Sequence, residues 1–157
     1  MSYKIPMQVS EIQLTYNTKV KAKDRPKITE SSDAYWVLES NWSDQIALLE
    51  EFNVLFLDRS NRVMGLCRLS KGGINGTVVD VRLAFAAALK ARASSIILAH
   101  NHPSGNVNPS RQDIEITRKF AQAGKLLDIP VIDHIILTPD DNYYSMADKG
   151  DMSFNLY

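Results

Sequence analysis

The sequence predicts an α/β domain in which helices pack on a mixed sheet, and three observations lead there. Short apolar runs of β-forming residues alternate with helical segments. Two of those runs are joined by a tight turn, the mark of a hairpin. The length, 157 residues with 45% hydrophobic and 23% charged, suits one domain with a sizeable core. It is too short for a TIM barrel of roughly 250 residues.

The elements follow in order. Ser32-Asp33 can cap a short helix running to about Glu39. Phe52-Asn-Val-Leu-Phe-Leu57 reads as a buried strand, Asp58-Arg-Ser-Asn61 as a turn, and Arg62 to Leu69 as the returning hairpin partner. Gly72-Gly73 and Gly76 break the chain. Asp80 caps an Ala-rich helix from Val81 to about Ala93, with Leu83, Ala87 and Ala91 at helical spacing. Ser94 to His100 is a short apolar strand, Asn101 to Pro109 a loop, and Ser110 caps a helix to about Gly124. Ile129 to Leu137 is a further apolar strand. Asp140-Asp-Asn142 turns it, and Tyr143-Tyr-Ser145 pairs back.

Charge is balanced overall, with 18 Lys and Arg against 18 Asp and Glu, but not evenly spread. Residues 1–30 carry six basic and three acidic side chains, and form a basic arm before the domain of residues 31–157. The basic excess lies at Lys19, Lys21, Lys23, Arg25 and Lys27. Its functional reading is a weak nucleic-acid or partner contact, and its plainer reading a solvated arm. Zero net charge argues against a whole-molecule grip on nucleic acid. No run approaches the ~18 apolar residues that span a bilayer, and the start of the chain lacks the pattern of a secretory signal. The single cysteine, Cys67, excludes an internal disulfide and any multi-cysteine metal knuckle. A cytoplasmic protein is the default expectation. Cys67 itself reads as a small buried apolar residue rather than a nucleophile.

The informative stretch is His100-Asn-His-Pro-Ser-Gly-Asn-Val-Asn-Pro-Ser-Arg-Gln-Asp113. His100 and His102 are two apart, so in an extended conformation they point the same way. They stand where an apolar strand runs out into a loop, a place that suits ligands held on a fixed scaffold. Two imidazoles need a third, anionic ligand to complete a catalytic zinc site with one open position. Asp113 offers it from the first turn of the next helix. Taken singly, His100 could be a satisfied core histidine and Asp113 part of a capping box with Ser110. Two of the chain's three histidines at one strand end, with a carboxylate shortly after, shift the reading to one zinc ion. A general base is then required. Glu50 and Glu51, which open the Phe52 strand, are both candidates, and spacing alone does not choose between them. An acid at a strand start is otherwise a solvated edge charge. His134, inside an apolar strand, could line the pocket or assist proton transfer, but the preferred reading is a core histidine hydrogen-bonded to the structure.

His100-x-His102, seven residues, Ser110, two residues, Asp113 resembles the JAMM motif of MPN/JAB-domain metalloproteases, H-x-H-x7-S-x2-D. The longer run His100-Asn-His-Pro-Ser-Gly, followed by Pro109-Ser110, resembles the RadC branch of that family. Glu50-Glu-Phe-Asn-Val-Leu-Phe-Leu-Asp58 is similar to its E-x-F-x-V-L-x-L-D strand. Gly76-Thr77, Val81-Arg82, Asp133-His134-Ile135 and Tyr144-Ser145 fall where that branch has comparable residues, so the likeness spans roughly residues 31–150.

The resemblance implies a three-layer α/β/α sandwich, cytidine-deaminase-like, with a mixed central sheet. It also implies zinc-dependent hydrolysis of an amide or isopeptide bond in a peptide or protein substrate. His100, His102 and Asp113 match the zinc ligands. Glu50 matches the general base that activates zinc-bound water, and Glu51 would face the other way on a regular strand. Ser110 matches the residue that stabilises the oxyanion, a role compatible with capping its helix. Asn101 departs from the wider family, where Ser or Thr often separates the histidines, and this weakens any transfer of ubiquitin-type substrates. RadC proteins commonly carry a helix-hairpin-helix region before this domain, and about 30 residues are too few for it. Two alternatives are a DNA repair or DNA-processing accessory protein and a non-catalytic MPN-like binding module. A zinc deaminase is excluded, since it needs a second cysteine. No H-E-x-x-H helix is present, and the adjacent letters His-Asn-His do not make an HNH nuclease.

Overall fold

The computed structural model describes residues 7–13, 15–72 and 78–156. The glycines read as chain breaks at Gly73 and Gly76, and the Gly76-Thr77 likeness, lie outside the described residues. The order is helix α1 (Ser31–Asn41), strands β1 (Glu51–Leu57) and β2 (Val63–Lys71), helix α2 (Val81–Ala91), strand β3 (Ser95–Asn101), helix α3 (Arg111–Leu126), and strands β4 (Val131–Leu137) and β5 (Tyr143–Ser145). Every expected element is there, with ends shifted by a few residues. One sheet carries all five strands in the order β2-β1-β3-β4-β5. β1 runs antiparallel to both β2 and β3, β3 is parallel to β4, and β5 returns antiparallel. The sheet is therefore mixed, with α3 as the crossover that a parallel pair requires.

Both faces of the sheet are covered. Phe52, Val54, Phe56, Ile96 and Leu98 pack under α2 and α3, against Phe85, Ala88 and Phe120. On the other face Leu55, Leu57, Ile97, Ala99, Ile135 and Leu137 pack under α1, against Ala34, Tyr35 and Leu38. Alternate residues of β1 thus enter different cores, which is why Val54 to Leu57 read as one apolar run. The result is the three-layer α/β/α sandwich. Ile28 is buried in the α1 core, and Lys27 bridges to Arg62, so the residues just before α1 are already tied to the sheet.

Three local expectations are corrected. The cap of α1 is Glu30 rather than Ser32-Asp33: Asp33 is the third helical residue, and its Oδ2 accepts the N–H groups of Thr29 and Glu30 at 2.8 and 3.1 Å. A carboxylate reaching back satisfies the open donors as well as a hydroxyl cap would. α2 stops at Ala91 because Arg92 turns left-handed, with φ of 58°. α3 runs past Gly124 to Leu126: this glycine does not end the helix but lets it approach the chain at Ile129, whose carbonyl oxygen lies 2.4 Å from where a Cβ would stand. Among the described residues no helix is long and apolar enough to cross a membrane.

Candidate metal centre

β3 and α3 build the centre between them. β3 carries buried His100 to the carboxyl end of the sheet, and His102 follows one residue beyond the strand. Carboxyl ends of strands are where open α/β sheets gather their ligands. The i, i+2 spacing holds: the Nε2 atoms of His100 and His102 stand 2.9 Å apart. The loop then reverses, with Gly105 at φ of 84°, and delivers the first turn of α3. Asp113 Oδ1 lies 3.1 Å from His100 Nε2, and Asp113 Oδ2 lies 3.2 Å from His102 Nε2. Among the described residues, these three form the one His/Cys/Asp/Glu group able to share a metal ion.

Asp113 belongs to the capping box and also faces the histidines. Ser110 Oγ accepts the Asp113 N–H at 3.1 Å, and Asp113 Oδ2 accepts the Ser110 N–H at 2.7 Å. The capping box thus fixes the carboxylate that faces the histidines. Burial opposes ionisation of Asp113, but hydrogen bonding to His100 and His102 overrides it and holds the carboxyl far below the usual range. Its place in the first turn of α3 favours the anion further. For His102 burial disfavours the charged ring, yet Asp113, the Asn106 carbonyl and Glu50 together raise its pKa.

The donor set suits a zinc ion. His102 Nδ1 lies 2.6 Å from the Asn106 carbonyl oxygen. A carbonyl only accepts, so Nδ1 carries a hydrogen, and Nε2 is the ring nitrogen left for a metal ion to take. Two imidazole nitrogens and one carboxylate, converging from a rigid strand end and a capped helix, match the three-ligand pattern of catalytic zinc.

Glu50 and Glu51 part company. Glu51 is buried on the α1 face, where Ser43 Oγ donates to its Oε2 at 2.7 Å and Lys71 Nζ lies 3.6 Å from its Oε1. It is no solvated edge charge. Glu50 is half-buried just before β1, and its charge acts on His102. The alternation of β1 puts Phe52 on the His100 side, their rings stacked at 6.0 Å; Glu50 shares that parity.

Sequence reasoning missed two supports. Asn101, noted only as a departure between the histidines, is fully buried. Its Oδ1 accepts the Glu51 N–H at 2.7 Å, and its Nδ2 donates to the carbonyls of Ile46 and Leu49 at 2.7 and 2.8 Å. Thr117, one helical turn after Asp113, is also buried, and its Oγ1 lies 2.6 Å from His134 Nδ1. The spacing from Asp113 was the available signal. His134 is indeed a core histidine, but its partner is His100, with Nε2 2.7 Å from His100 Nδ1. Burial, and then the neighbouring His100, push the pKa of the His134 ring well below its usual value. Cys67 is half-buried against the α2/α3 core, and burial pushes its thiol up, away from nucleophilic use. In the basic arm Arg25 is spent on Asp58, at 3.1 Å, while Lys19, Lys21, Lys23 and Lys27 are exposed.

Comparison with known proteins agrees over the same region. Residues 28–151 match the family model of the RadC-like JAB domain. The chain is similar to a UPF0758 protein of Flavobacterium johnsoniae, 48% identical over 124 residues, covering 79% of this chain and 53% of that protein. A UPF0758 protein of Porphyromonas gingivalis is 43% identical over 126 residues, 80% of this chain and 55% of the relative. One of Methanosarcina mazei is 39% identical over 124 residues, with 79% and 53% covered. The chain spans about half the length of these curated relatives.

Proposed function

The chain belongs to the RadC-like JAB domain family, and from that premise we propose that it is a zinc-dependent hydrolase of amide or isopeptide bonds in a peptide or protein substrate. His100, His102 and Asp113 hold one zinc ion, Glu50 is the general base, and Ser110 is a donor to the developing oxyanion. The observation that carries this reading is the convergence of His100 Nε2, His102 Nε2 and the Asp113 carboxylate, all within 3.2 Å of one another across the loop. A zinc ion held there would supply Lewis acidity and bring the pKa of a bound water to roughly 7.

The protein's own groups divide the remaining work. The Glu50 carboxylate, close enough to act on His102, takes a proton from the attacking water and returns it to the leaving nitrogen. The capping of α3 uses a lone pair of Ser110 Oγ and not its hydrogen. That hydrogen stays available to an oxyanion, and Ser110 is exposed where a substrate can reach it. Phe52 stacks on His100, and Phe120 stacks on Phe52 at 5.7 Å between centroids, so an apolar layer backs that imidazole.

Elemental analysis of the purified protein, run beside a peptide-library cleavage screen, tests the reading. One zinc per chain is expected, with His102→Ala losing the metal. A protein that takes up no zinc when it is supplied in excess would overturn it.

A further inference from the structure

A buried chain of three contacts runs from the backbone of α3 to His100. Thr117 Oγ1 lies 2.5 Å from the Asp113 carbonyl oxygen. His134 Nδ1 lies 2.6 Å from Thr117 Oγ1, and His134 Nε2 lies 2.7 Å from His100 Nδ1. Thr117 and His134 are wholly inaccessible and His100 nearly so, so water does not complete the pattern.

Each contact needs one hydrogen, and the ends decide the direction. The Asp113 carbonyl can only accept. Were Thr117 to donate to His134 instead, two oxygens would face each other at 2.5 Å with no hydrogen between them. Thr117 therefore donates to the carbonyl, its other near contact being the weak acceptor Met146 Sδ at 3.6 Å. The threonine oxygen then accepts from His134 Nδ1–H. The third contact also needs one hydrogen; with that of His134 on Nδ1, His134 Nε2 is the acceptor and His100 Nδ1–H the donor. With Nδ1 engaged by His134, His100 Nε2 is the ring nitrogen that faces His102 and Asp113 and is left for a metal ion.

We infer that Thr117 and His134 are positioning residues that set the tautomer of His100 and hold its Nε2 ready for a metal ion. The inference rests on the zinc reading above. It makes the neutral tautomer of His134 the Nδ1–H form, the reverse of the one a free histidine side chain prefers. Groups that orient a metal-bound histidine typically contribute 10–100-fold in affinity.

The test uses the 15N-labelled chain loaded with zinc, read by long-range proton–nitrogen correlation. Only three histidines contribute. The expected result is His134 protonated on Nδ1 and His100 bound through Nε2. His134 protonated on Nε2 in a protein that has taken up zinc would overturn the inference and leave the zinc reading standing. A wild-type protein that takes up no zinc would overturn both. Thr117→Val keeps the side-chain shape and removes the oxygen; zinc affinity, measured by chelator competition, is expected to fall about 10–100-fold. Thr117→Ser should restore it, which a purely structural role for the threonine methyl would not allow. Wild-type affinity in a folded Thr117→Val protein would also overturn the inference.

Discussion

Asn101 Oδ1 accepts the backbone N–H of Glu51 at 2.7 Å, so the residue between the two candidate metal ligands also fixes the segment that carries the candidate base. Its Nδ2 uses both hydrogens on the carbonyls of Ile46 and Leu49. The three bonds fasten the approach to β1 onto the end of β3, the one to Glu51 buried and the other two part-buried. Asn101→Ala leaves one buried donor and two acceptors unmet. At about 1–3 kcal/mol for the buried donor left unsatisfied, and less for the two part-buried carbonyls, a loss of roughly 2–4 kcal/mol of unfolding free energy is expected in a urea titration. A loss below about 1 kcal/mol, the worth of a single ordinary hydrogen bond, would show that the clamp contributes little.

Glu50 and Glu51 should separate cleanly by substitution. Glu50→Gln keeps all three candidate ligands and removes only the base. Zinc content should stay at the wild-type level while cleavage of a library-identified substrate falls at least ~100-fold. Glu51→Gln can still accept from Ser43, and its side chain lies on the opposite face of the sheet. It should cut stability by about 1 kcal/mol and leave turnover within a few-fold of wild type. The reverse ranking of the two variants would reassign the base.

Much of this was legible before any coordinates, for physical reasons that apply residue by residue. The alternation of apolar strands and helices is local, and so is the run from His100 to Asp113. Two histidines two apart on a strand and a carboxylate in a capped first turn are legible from spacing alone. What stayed hidden depends on contacts across the fold. Asn101 bonds to residues about 50 positions earlier, and His134 meets Thr117 from a different element, 17 residues away. Glu51 looked like a surface charge because nothing in its neighbourhood announced Lys71 or Ser43. Glu30 replaced Ser32 as a cap because Asp33 could reach back, a choice between near-equal local alternatives.

Gly124 illustrates the same point and yields a stability prediction. A glycine near the end of a helical pattern reads as a terminator, yet here the helix passes through it. Its missing side chain makes room for the Ile129 backbone, with the carbonyl oxygen 2.4 Å from an ideal Cβ and Phe85 3.5 Å away. Gly124→Ala would gain helix propensity of about 1 kcal/mol in a free helix. Against that, α3 must shift away from the start of β4, at the roughly 1–3 kcal/mol of an overpacked core. The clash is with backbone and cannot be relieved by a rotamer change, so net destabilisation is expected. A raised midpoint in thermal unfolding would show that the two segments separate without cost.

Asp58 links the basic arm to the fold and sets a pH dependence. Its Oδ1 accepts the N–H groups of Ser60 and Arg62 at 2.9 and 3.0 Å, and its Oδ2 meets Arg25 at 3.1 Å. Partial burial works against the charged form, but the hydrogen bonds from Arg62, Ser60 and Arg25 prevail and lower its pKa. A carboxyl whose pKa is lower folded than unfolded stabilises the protein above the unfolded value of about 3.9. That contribution is lost as pH falls through the lower, folded value. Asp58→Asn keeps an acceptor for the turn and removes the charge that holds Arg25. It should cost about 1–2 kcal/mol near neutral pH, and the gap to wild type should close as pH drops below the carboxylate range. Denaturant titrations of both proteins at the two ends of that range decide it: a gap that is constant with pH would mean that the Asp58 charge contributes nothing, and that the turn is held by hydrogen-bond geometry alone.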